Sequence, residues 1–297
     1  MLIIYPSIAY ALTLLTVVIH NRQMTSSDIV IKDSQESAMS SQRHKLWIHL
    51  LLFILLVFHG YACYQDIFTP QGLVFGFAQA LSMMAWVGIA LYWVEGWFFT
   101  LYGMLPLVLG MAMIFSFLPS VFEGAIISTK AVHSPGFRLH FITANMAYGI
   151  MFLAALQAIL MTWQDKNLRS NQSNDAASWL QMLVLGQRSS LLDQLPPLLT
   201  MERVLFNVIG IGFCLLTIAV FSGVFFSQTL FGRPLTFDHK TIFSFVSWAM
   251  FGGLLYAHWK VGLRGAQASK WVLGSFGVLL LAYVGSRFVL EVILQKI

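Results

Sequence analysis

The stretch TFDHKTIFSFVSWAMFGGLLYAHWKVGLRG, from Thr236 to Gly265, decides the class of fold. It carries charged residues at both ends and none between Lys240 and His258. At a rise of 1.5 Å per residue, an apolar helix of about twenty residues crosses a bilayer. The stretch therefore predicts a transmembrane helix with His239 near one membrane face and His258 near the other.

The composition extends this prediction to the whole chain. Of the 297 residues, 58% are hydrophobic and only 10% are charged, which is typical of a polytopic membrane protein and not of a soluble domain. The formal charge of +5 does not imply a nucleic-acid partner, because most Lys and Arg residues fall in loops, where they set the orientation in the membrane. Cys63 and Cys214 stand far apart, without the spacing of a zinc site or a disulfide framework.

Apolar runs divide the chain into about eight helices, which predicts an all-α polytopic transmembrane bundle forming a single integral membrane domain, residues 1–297. The longest polar stretches are residues 21–45 and 164–202, both of which we interpret as loops. The predicted spans are Leu2–His20, Leu46–Tyr64, Gly72–Val94, Trp97–Leu118, Arg138–Trp163, Val204–Ser227, the opening stretch and Trp271–Ile293.

The distribution of Lys and Arg over alternate loops predicts the orientation. With the N-terminus outside, the inner loops hold almost twice as many basic residues as the outer ones. By the positive-inside rule, both termini are then non-cytoplasmic, and the loops 21–45 and 164–202 are cytoplasmic. The expected location is the inner membrane of a bacterium, with the lipid bilayer as the principal surrounding partner.

With this orientation the histidines fall at two depths. The outer set is His59, His133, His140 and His239, and the inner set is His20, His49 and His258, with His44 in the first loop. Neutral imidazoles at two membrane depths suit axial ligation of haem iron at either face. Two other readings remain open, since a histidine at a helix end is commonly an interfacial polar group, and imidazoles also form interhelical hydrogen bonds.

Arg287 also needs an explanation, because it lies inside the apolar run AYVGSRFVLEVIL, where an unpaired guanidinium is costly. Glu291 follows one helical turn later and offers a partner for an ion pair. The alternative is that Arg287 faces the outer histidines and binds an anion there, such as a haem propionate.

Four segments carry a resemblance to a known family: RLHFITANMAYGIMFLAALQAIL (138–160), LPPLLTMERVLFNVIGIGFCLLTIAVFSGVFF (195–226), DHKTIFSFVSWAMFGGLLYAHWKVGLRG (238–265) and LAYVGSRFVLEVIL (281–294). In order and spacing they resemble the YpjD- and HemX-like inner-membrane proteins of the CcsA/CcmC cytochrome c assembly superfamily. The CcsA-like region covers residues 137–293, whereas the first half is similar only in its pattern of helices.

The resemblance implies that His140 stands where the assembly proteins carry an outer haem-ligating histidine, and that His258 stands where they carry an inner one. Two family features are missing. The outer segment before Asp238 has no tryptophan, and no histidine follows His258. We expect His59 to supply the missing outer ligand, with His239 or a partner chain as alternatives.

The expected function is haem binding and handling that assists cytochrome c assembly, with haem as the cofactor and cytochrome c assembly or haem-synthesis proteins as partners. The sequence has no phosphate-binding loop, paired carboxylates or Ser/His/Asp arrangement, so we expect no enzymatic turnover. The alternative function is a HemX-like membrane scaffold or regulator of haem biosynthesis that acts through the loop 164–202.

Overall fold

The computed structural model describes residues 4–27, 34–70, 72–99, 101–127, 134–170, 195–231 and 239–294. Its helices are α1 (Tyr5–Ser27), α2 (Ser34–Ile67), α3 (Phe77–Phe98), α4 (Leu105–Phe117), α5 (Pro135–Ser170), α6 (Leu198–Phe231), α7 (His239–Val261) and α8 (Gly265–Leu280). The chain continues from α8 to Ile293 through two π-helical turns, Leu281–Gly285 and Val289–Ile293, with a short α-helical turn, Ser286–Phe288, between them. The predicted polytopic helical bundle is therefore confirmed.

Within the described ranges, seven helical segments are long and apolar enough to cross a membrane. They are Lys45–Ile67, Phe77–Phe98, Tyr102–Ser120, Pro135–Lys166, Leu198–Val224, His239–Val261 and Gly265–Ile293. Helix α1 contributes a shorter apolar part, Tyr5–Val18, at the place of the first predicted span. The predicted orientation of the termini stays a prediction.

Helix α5 lies at the centre of the bundle, where it packs against α3, α6 and α8. Its most apolar window is 72% buried, against 17% for α7, so α7 faces the surroundings along most of its length. Glycines allow the close contacts of α5, because Gly149 lies against Val87 of α3 and Gly212 of α6 lies against Met151. The remaining helices are arranged around this centre, with α1 against α4 and α2 against α3.

A small antiparallel sheet closes the end of the bundle where α3 and α5 begin. Its strands are β1 (Phe68–Thr69), β2 (Gly72–Phe75) and β3 (Ala125–Ile127), in the order β1-β2-β3. The interpretation of Gly72 as the start of a helix is wrong, because α3 begins only at Phe77. The backbones of Gly76, before α3, and Gly124, before β3, lie against each other. Glycine permits this contact, since a Cβ on Gly124 would lie 2.9 Å from the Gly76 nitrogen.

Helices extend into both polar stretches. Helix α1 continues to Ser27 and α2 begins at Ser34, so the stretch 21–45 is helical wherever it is described. Similarly, α5 continues to Ser170 and α6 begins at Leu198, within the stretch 164–202. The rest of that stretch, residues 171–194, lies outside the described residues. The cytoplasmic location of both stretches stays a prediction.

Candidate functional site

His140 lies in the first turns of α5 and is held by the end of α6. Its Nδ1 is 3.1 Å from the Ser222 hydroxyl, which donates to the Ala219 carbonyl oxygen at 3.1 Å. Because the single hydroxyl hydrogen goes to Ala219, the His140 Nδ1–H is the donor to Ser222. The Nε2 of the neutral ring then carries a lone pair, and the hydrogen bonds of this ring within the described residues go to Ser222 and to the Ala219 backbone.

The approach of α6 to this ring depends on Gly223. A Cβ at Gly223 would lie 3.0 Å from Cε1 of His140, which is a tight contact. The ring is half-buried between the two helices. The lack of a side chain at position 223 thus lets α6 come close enough for Ser222 to reach Nδ1.

An aromatic group stands beside His140 and is built from β2, α5 and the segment after α8. Phe75 contacts Phe141 with ring centroids 4.8 Å apart and Tyr283 with centroids 5.7 Å apart. The Tyr283 ring also receives two cations, with Lys240 Nζ at 4.9 Å and Arg287 Cζ at 5.9 Å from its centroid. Through Phe75, the Tyr283 ring is connected to Phe141, the residue after His140. This end of the bundle therefore combines an imidazole, an apolar wall and two cations.

Arg287 forms the ion pair that its position four residues before Glu291 allows, with Nη1 at 3.6 Å from Glu291 Oε1. The other carboxylate oxygen, Oε2, accepts the backbone N–H of Phe77 at 3.2 Å. Glu291 thus caps the start of α3 from a position 214 residues away. At 3.6 Å the ion pair is longer than a charge-assisted hydrogen bond, so Glu291 does not saturate the guanidinium. The role of Arg287 toward a haem propionate stays a prediction.

His258 lies in the last turn of α7, where the turn into α8 holds it. Its Nδ1 donates to the Leu263 carbonyl oxygen at 2.9 Å, since a carbonyl can only accept. The ring stacks on Phe206 of α6 with centroids 3.4 Å apart and an interplanar angle of 13°. Gly262, with a φ of 72°, lets the chain reverse and bring Leu263 back onto the imidazole. The Nε2 lone pair of His258 has no hydrogen-bond partner among the described residues.

A second contact fixes the same turn to α6. Arg264 lies 3.6 Å from the carboxylate of Glu202, which is one helical turn before Phe206. Glu202 is buried, whereas the Arg264 side chain is 66% exposed. The start of α6 therefore supports both the His258 ring and the turn that orients it.

The His140 and His258 imidazoles lie at opposite ends of the bundle. His239 begins α7 and His258 comes nineteen residues later, about 28 Å along a helix. Lys240, next to His239, shares an end with His140 through Tyr283 and α5, so His140 and His258 are separated by about a membrane thickness. The assignment of these ends to the outer and inner membrane faces stays a prediction.

His59 is held on both sides of its ring, because each of its ring nitrogens is hydrogen-bonded. Nδ1 lies 2.9 Å from the Tyr10 hydroxyl of α1, and Nε2 lies 3.0 Å from the Ser82 hydroxyl of α3. Cys63 extends this network, with Sγ 3.6 Å from Ser82 Oγ. His59 therefore joins α1, α2 and α3 by hydrogen bonds, which favours the alternative that this histidine has a structural role. Ligation of iron by His59 would require breaking one of these bonds.

The network predicts that Tyr10→Phe will destabilise the bundle by about 1 kcal/mol, because it leaves a buried imidazole nitrogen without its partner. Thermal unfolding of the purified protein in detergent measures this loss as a lower midpoint. Tyr5→Phe is the matched control, since Tyr5 lies in the same helix and is 50% exposed. Equal midpoints for the two variants would contradict a stabilising role of the network.

Sequence reasoning missed a buried carboxyl. Glu95 falls between the predicted spans Gly72–Val94 and Trp97–Leu118, but it lies inside α3 and is only 9% exposed. Gln157 of α5 donates to its Oε2 at 2.8 Å. The two residues are 62 positions apart, so their pairing has no local signal, although an acidic residue in an apolar run is itself a warning.

His49 is also more buried than its place near a helix end indicated. Its ring stacks on Trp97 with centroids 4.7 Å apart, and a Cβ at Gly96 would lie 2.7 Å from its Cε1. Its Nδ1 is buried without a hydrogen-bond partner in the described part of the chain. Tryptophan is common at membrane interfaces, so Trp97 alone does not predict a stacking partner. The contact between His49 and Trp97 depends on how α2 and α3 are aligned against each other.

The remaining histidines add no further ligand set. His239 is exposed at the start of α7, and His133 lies outside the described residues, as do the side chains of His20 and His44. Within the described ranges, no group of three His, Cys, Asp or Glu residues is arranged to hold a bare metal ion. An isolated open imidazole instead fits iron that already has four equatorial nitrogen ligands, as in haem.

Comparison with known proteins matches residues 47–294 to the family described as cytochrome C assembly protein. The chain is 30% identical to the inner membrane protein YpjD of Escherichia coli (strain K12) over 190 residues, which are 64% of this chain and 65% of that protein. It is 26% identical to the cytochrome c biogenesis protein CcsA of Heterosigma akashiwo (strain NIES-293) over 58% of each chain. These matches span less than two thirds of the relatives' own lengths.

The family match begins well before residue 137 and ends at the last described residue, so it includes most of α2 and all of α3 as well as the four segments that carry the resemblance. The apolar helices and the similarity to an inner membrane protein identify a multi-pass protein of the bacterial inner membrane. With most of its length matched by one family model, the chain belongs to the cytochrome C assembly protein family.

Proposed function

We propose that this protein binds haem through His140 at one end of the bundle and His258 at the other, and that it assists cytochrome c assembly without turnover of its own. The observation that carries the proposal is that the two rings have the same hydrogen-bond arrangement. In each, Nδ1–H is held by an oxygen acceptor and Nε2 carries the lone pair. Metal-ligating histidines have this arrangement, because the second-shell acceptor fixes the tautomer and makes the ligating nitrogen more basic.

The protein's own residues orient both rings. Ser222 holds His140 at a site that Gly223 keeps narrow, and the Leu263 carbonyl holds His258 against the face of Phe206. Iron is ligated by the neutral imidazole, through the ring nitrogen that carries the lone pair. Each ring would hold a separate haem by its iron, and the bound haem would supply a redox-active iron at that end of the bundle.

Membership of the family supports the biological role, since relatives carry the name cytochrome c biogenesis protein. Two haem sites separated by a membrane thickness suit a protein that takes up haem at one face and offers it at the other. By the positive-inside rule, His140 is the outer site and His258 the inner site. Assembly proteins on the outer side are then the partners that would receive haem.

Chemical rescue tests the proposal at His258. The purified full chain is titrated with haem in detergent, and the Soret absorbance is recorded for the unchanged protein and for His258→Gly. We expect His258→Gly to lose a large part of the band and added imidazole to restore it, because free imidazole fits the space above Phe206. His239→Gly is the control, since His239 is exposed. No Soret band in the unchanged protein, or an unchanged band in His258→Gly, would contradict the proposal.

A further inference from the structure

We propose that Glu95 and Gln157 form a binding site for a single monovalent cation, a proton or a sodium ion, inside the membrane-spanning part of the bundle. The site is separate from His140 and His258, so this inference does not rest on the function proposed above. It starts from the hydrogen bond that joins α3 to α5, in which Gln157 Nε2 donates to Glu95 Oε2 at 2.8 Å.

The hydrogen bonding of this pair leaves two acceptor oxygens open. The Oε1 atoms of Glu95 and Gln157 are both buried, and neither has a hydrogen-bond partner in the parts of the chain that the structure describes. The two residues are only 9% and 2% exposed. Buried polar atoms in proteins nearly always have a partner, so an open oxygen on a carboxyl and another on its amide partner indicate a bound group that carries a proton or a positive charge.

The environment of Glu95 requires a positive charge if its carboxyl is ionised. The residue lies within Phe77–Phe98, a segment apolar enough to cross a membrane, where an unpaired charge is costly. No ion pair formed by described residues includes Glu95, and its polar contact there is the one with Gln157. A proton on Glu95 Oε1 removes the charge, and a sodium ion at the two open oxygens balances it, since carboxylate and amide oxygens are ligands of hard cations.

The titratable side chains nearest to Glu95 on the surrounding elements are two phenols, one imidazole and a carboxyl more than two turns beyond Gln157, namely Tyr92, Tyr102, His49 and Asp165. The Tyr92 hydroxyl donates its hydrogen to the Leu101 carbonyl oxygen at 3.0 Å. His49 stacks on Trp97 and forms no described ion pair with Glu95. Helix α4 has no ionisable side chain. The charge that balances Glu95 therefore comes from a bound ion.

Polar groups along α5 connect the site with one end of the bundle. Gln157 comes seventeen residues after His140, about 26 Å along the helix, so the pair lies toward the end where His258 lies. Gln164 follows seven residues later, two turns on and on the same face. Its Oε1 is also buried and has no hydrogen-bond partner within the described ranges. Water bound at these oxygens gives a cation a route between that end and Glu95.

Infrared difference spectroscopy tests the site on the purified full chain in detergent. The spectrum of Glu95→Gln is subtracted from that of the unchanged protein at neutral pH, first in sodium-free buffer with choline as the cation and then after addition of sodium chloride. In the sodium-free buffer we expect the C=O band of one carboxylic acid per chain, which reports the bound proton. Replacement of this band by carboxylate bands on addition of sodium would show that sodium occupies the same site, and a persistent band would show that the proton is the occupant.

Carboxylate bands from Glu95 in the sodium-free buffer would overturn the inference, because the residue would then be charged without a bound cation. Glu123→Gln is the matched control, since Glu123 is exposed and should give carboxylate bands in both buffers. The thermal midpoint checks that each variant is folded.

Gln157→Leu tests the second residue of the site while Glu95 stays in place. It removes the N–H that Glu95 Oε2 accepts, so the carboxylic acid band should move to higher frequency. An unmoved band in folded Gln157→Leu would overturn the assignment of Gln157 to the site.

Discussion

His140→Ala is expected to lower the haem affinity of the outer site by at least about 100-fold, since it removes the axial ligand itself, whereas loss of a second-shell partner alone typically costs 10- to 100-fold. The measurement is a haem titration in the His258→Ala background, which isolates the outer site. The expected loss is large because the other described histidines of the predicted outer set are placed differently: both ring nitrogens of His59 are hydrogen-bonded, and His239 is exposed at the start of α7. An affinity unchanged by His140→Ala would exclude this residue as the ligand.

Ser222→Ala separates orientation of the ring from ligation. It keeps the imidazole but removes the acceptor of its Nδ1–H, so we expect a loss of about tenfold. Ser244→Ala is the control, because Ser244 also donates to a helix carbonyl, that of Lys240, but holds no imidazole. If Ser222→Ala and Ser244→Ala bind haem equally well, the serine does not position His140.

Gly149→Ala is expected to destabilise the bundle by about 3 kcal/mol or more, which is the upper range for overpacking of a core. The added Cβ would overlap the Val87 side chain and lie 3.2 Å from the backbone oxygen of Met84. A side chain can rotate away, but a helix backbone cannot, so α3 and α5 would have to separate. Since α5 is the central helix, this separation disturbs the packing of the whole bundle.

Thermal unfolding followed by circular dichroism measures this effect. Gly210→Ala is the matched control, because Gly210 lies in α6 and a Cβ there would meet nothing within 4 Å. That substitution should be neutral or slightly stabilising, since alanine favours a helix over glycine by up to about 1 kcal/mol. Equal midpoints for the two variants would show that α3 and α5 do not pack as closely as described.

The bundle could be predicted from the sequence because long apolar runs need no partner to be recognised. His140 and His258 could likewise be selected, since each lies within such a run. What holds them differs in range: Leu263 is five residues from His258, whereas Ser222 is 82 residues from His140. These contacts determine which ring nitrogen carries the lone pair at each site. Only the contact of His258 with Leu263 is local in the sequence, so the arrangement at His140 could not be predicted.

The features that escaped sequence reasoning are those that depend on distant partners. The strand Ala125–Ile127 is three residues long and pairs with residues about fifty positions earlier, too short a segment to show a periodicity. The expectation that His59 serves as an outer ligand overlooked Tyr10, 49 residues away in the first helix. Likewise, the predicted spans leave Glu95 outside a helix, because its partner Gln157 lies on another helix.

The absorbance spectrum of the purified full chain, compared with that of the His140→Ala/His258→Ala double variant, tests the central proposal most directly. After addition of haem and removal of the excess, we expect a Soret band in the unchanged protein and its loss in the double variant. The double variant should lose no more than about 1 kcal/mol of its free energy of unfolding, because both rings are only half-buried. Its thermal midpoint should therefore stay close to that of the unchanged protein. A Soret band of equal strength in a folded double variant, or none in the unchanged protein, would contradict haem binding by these two histidines.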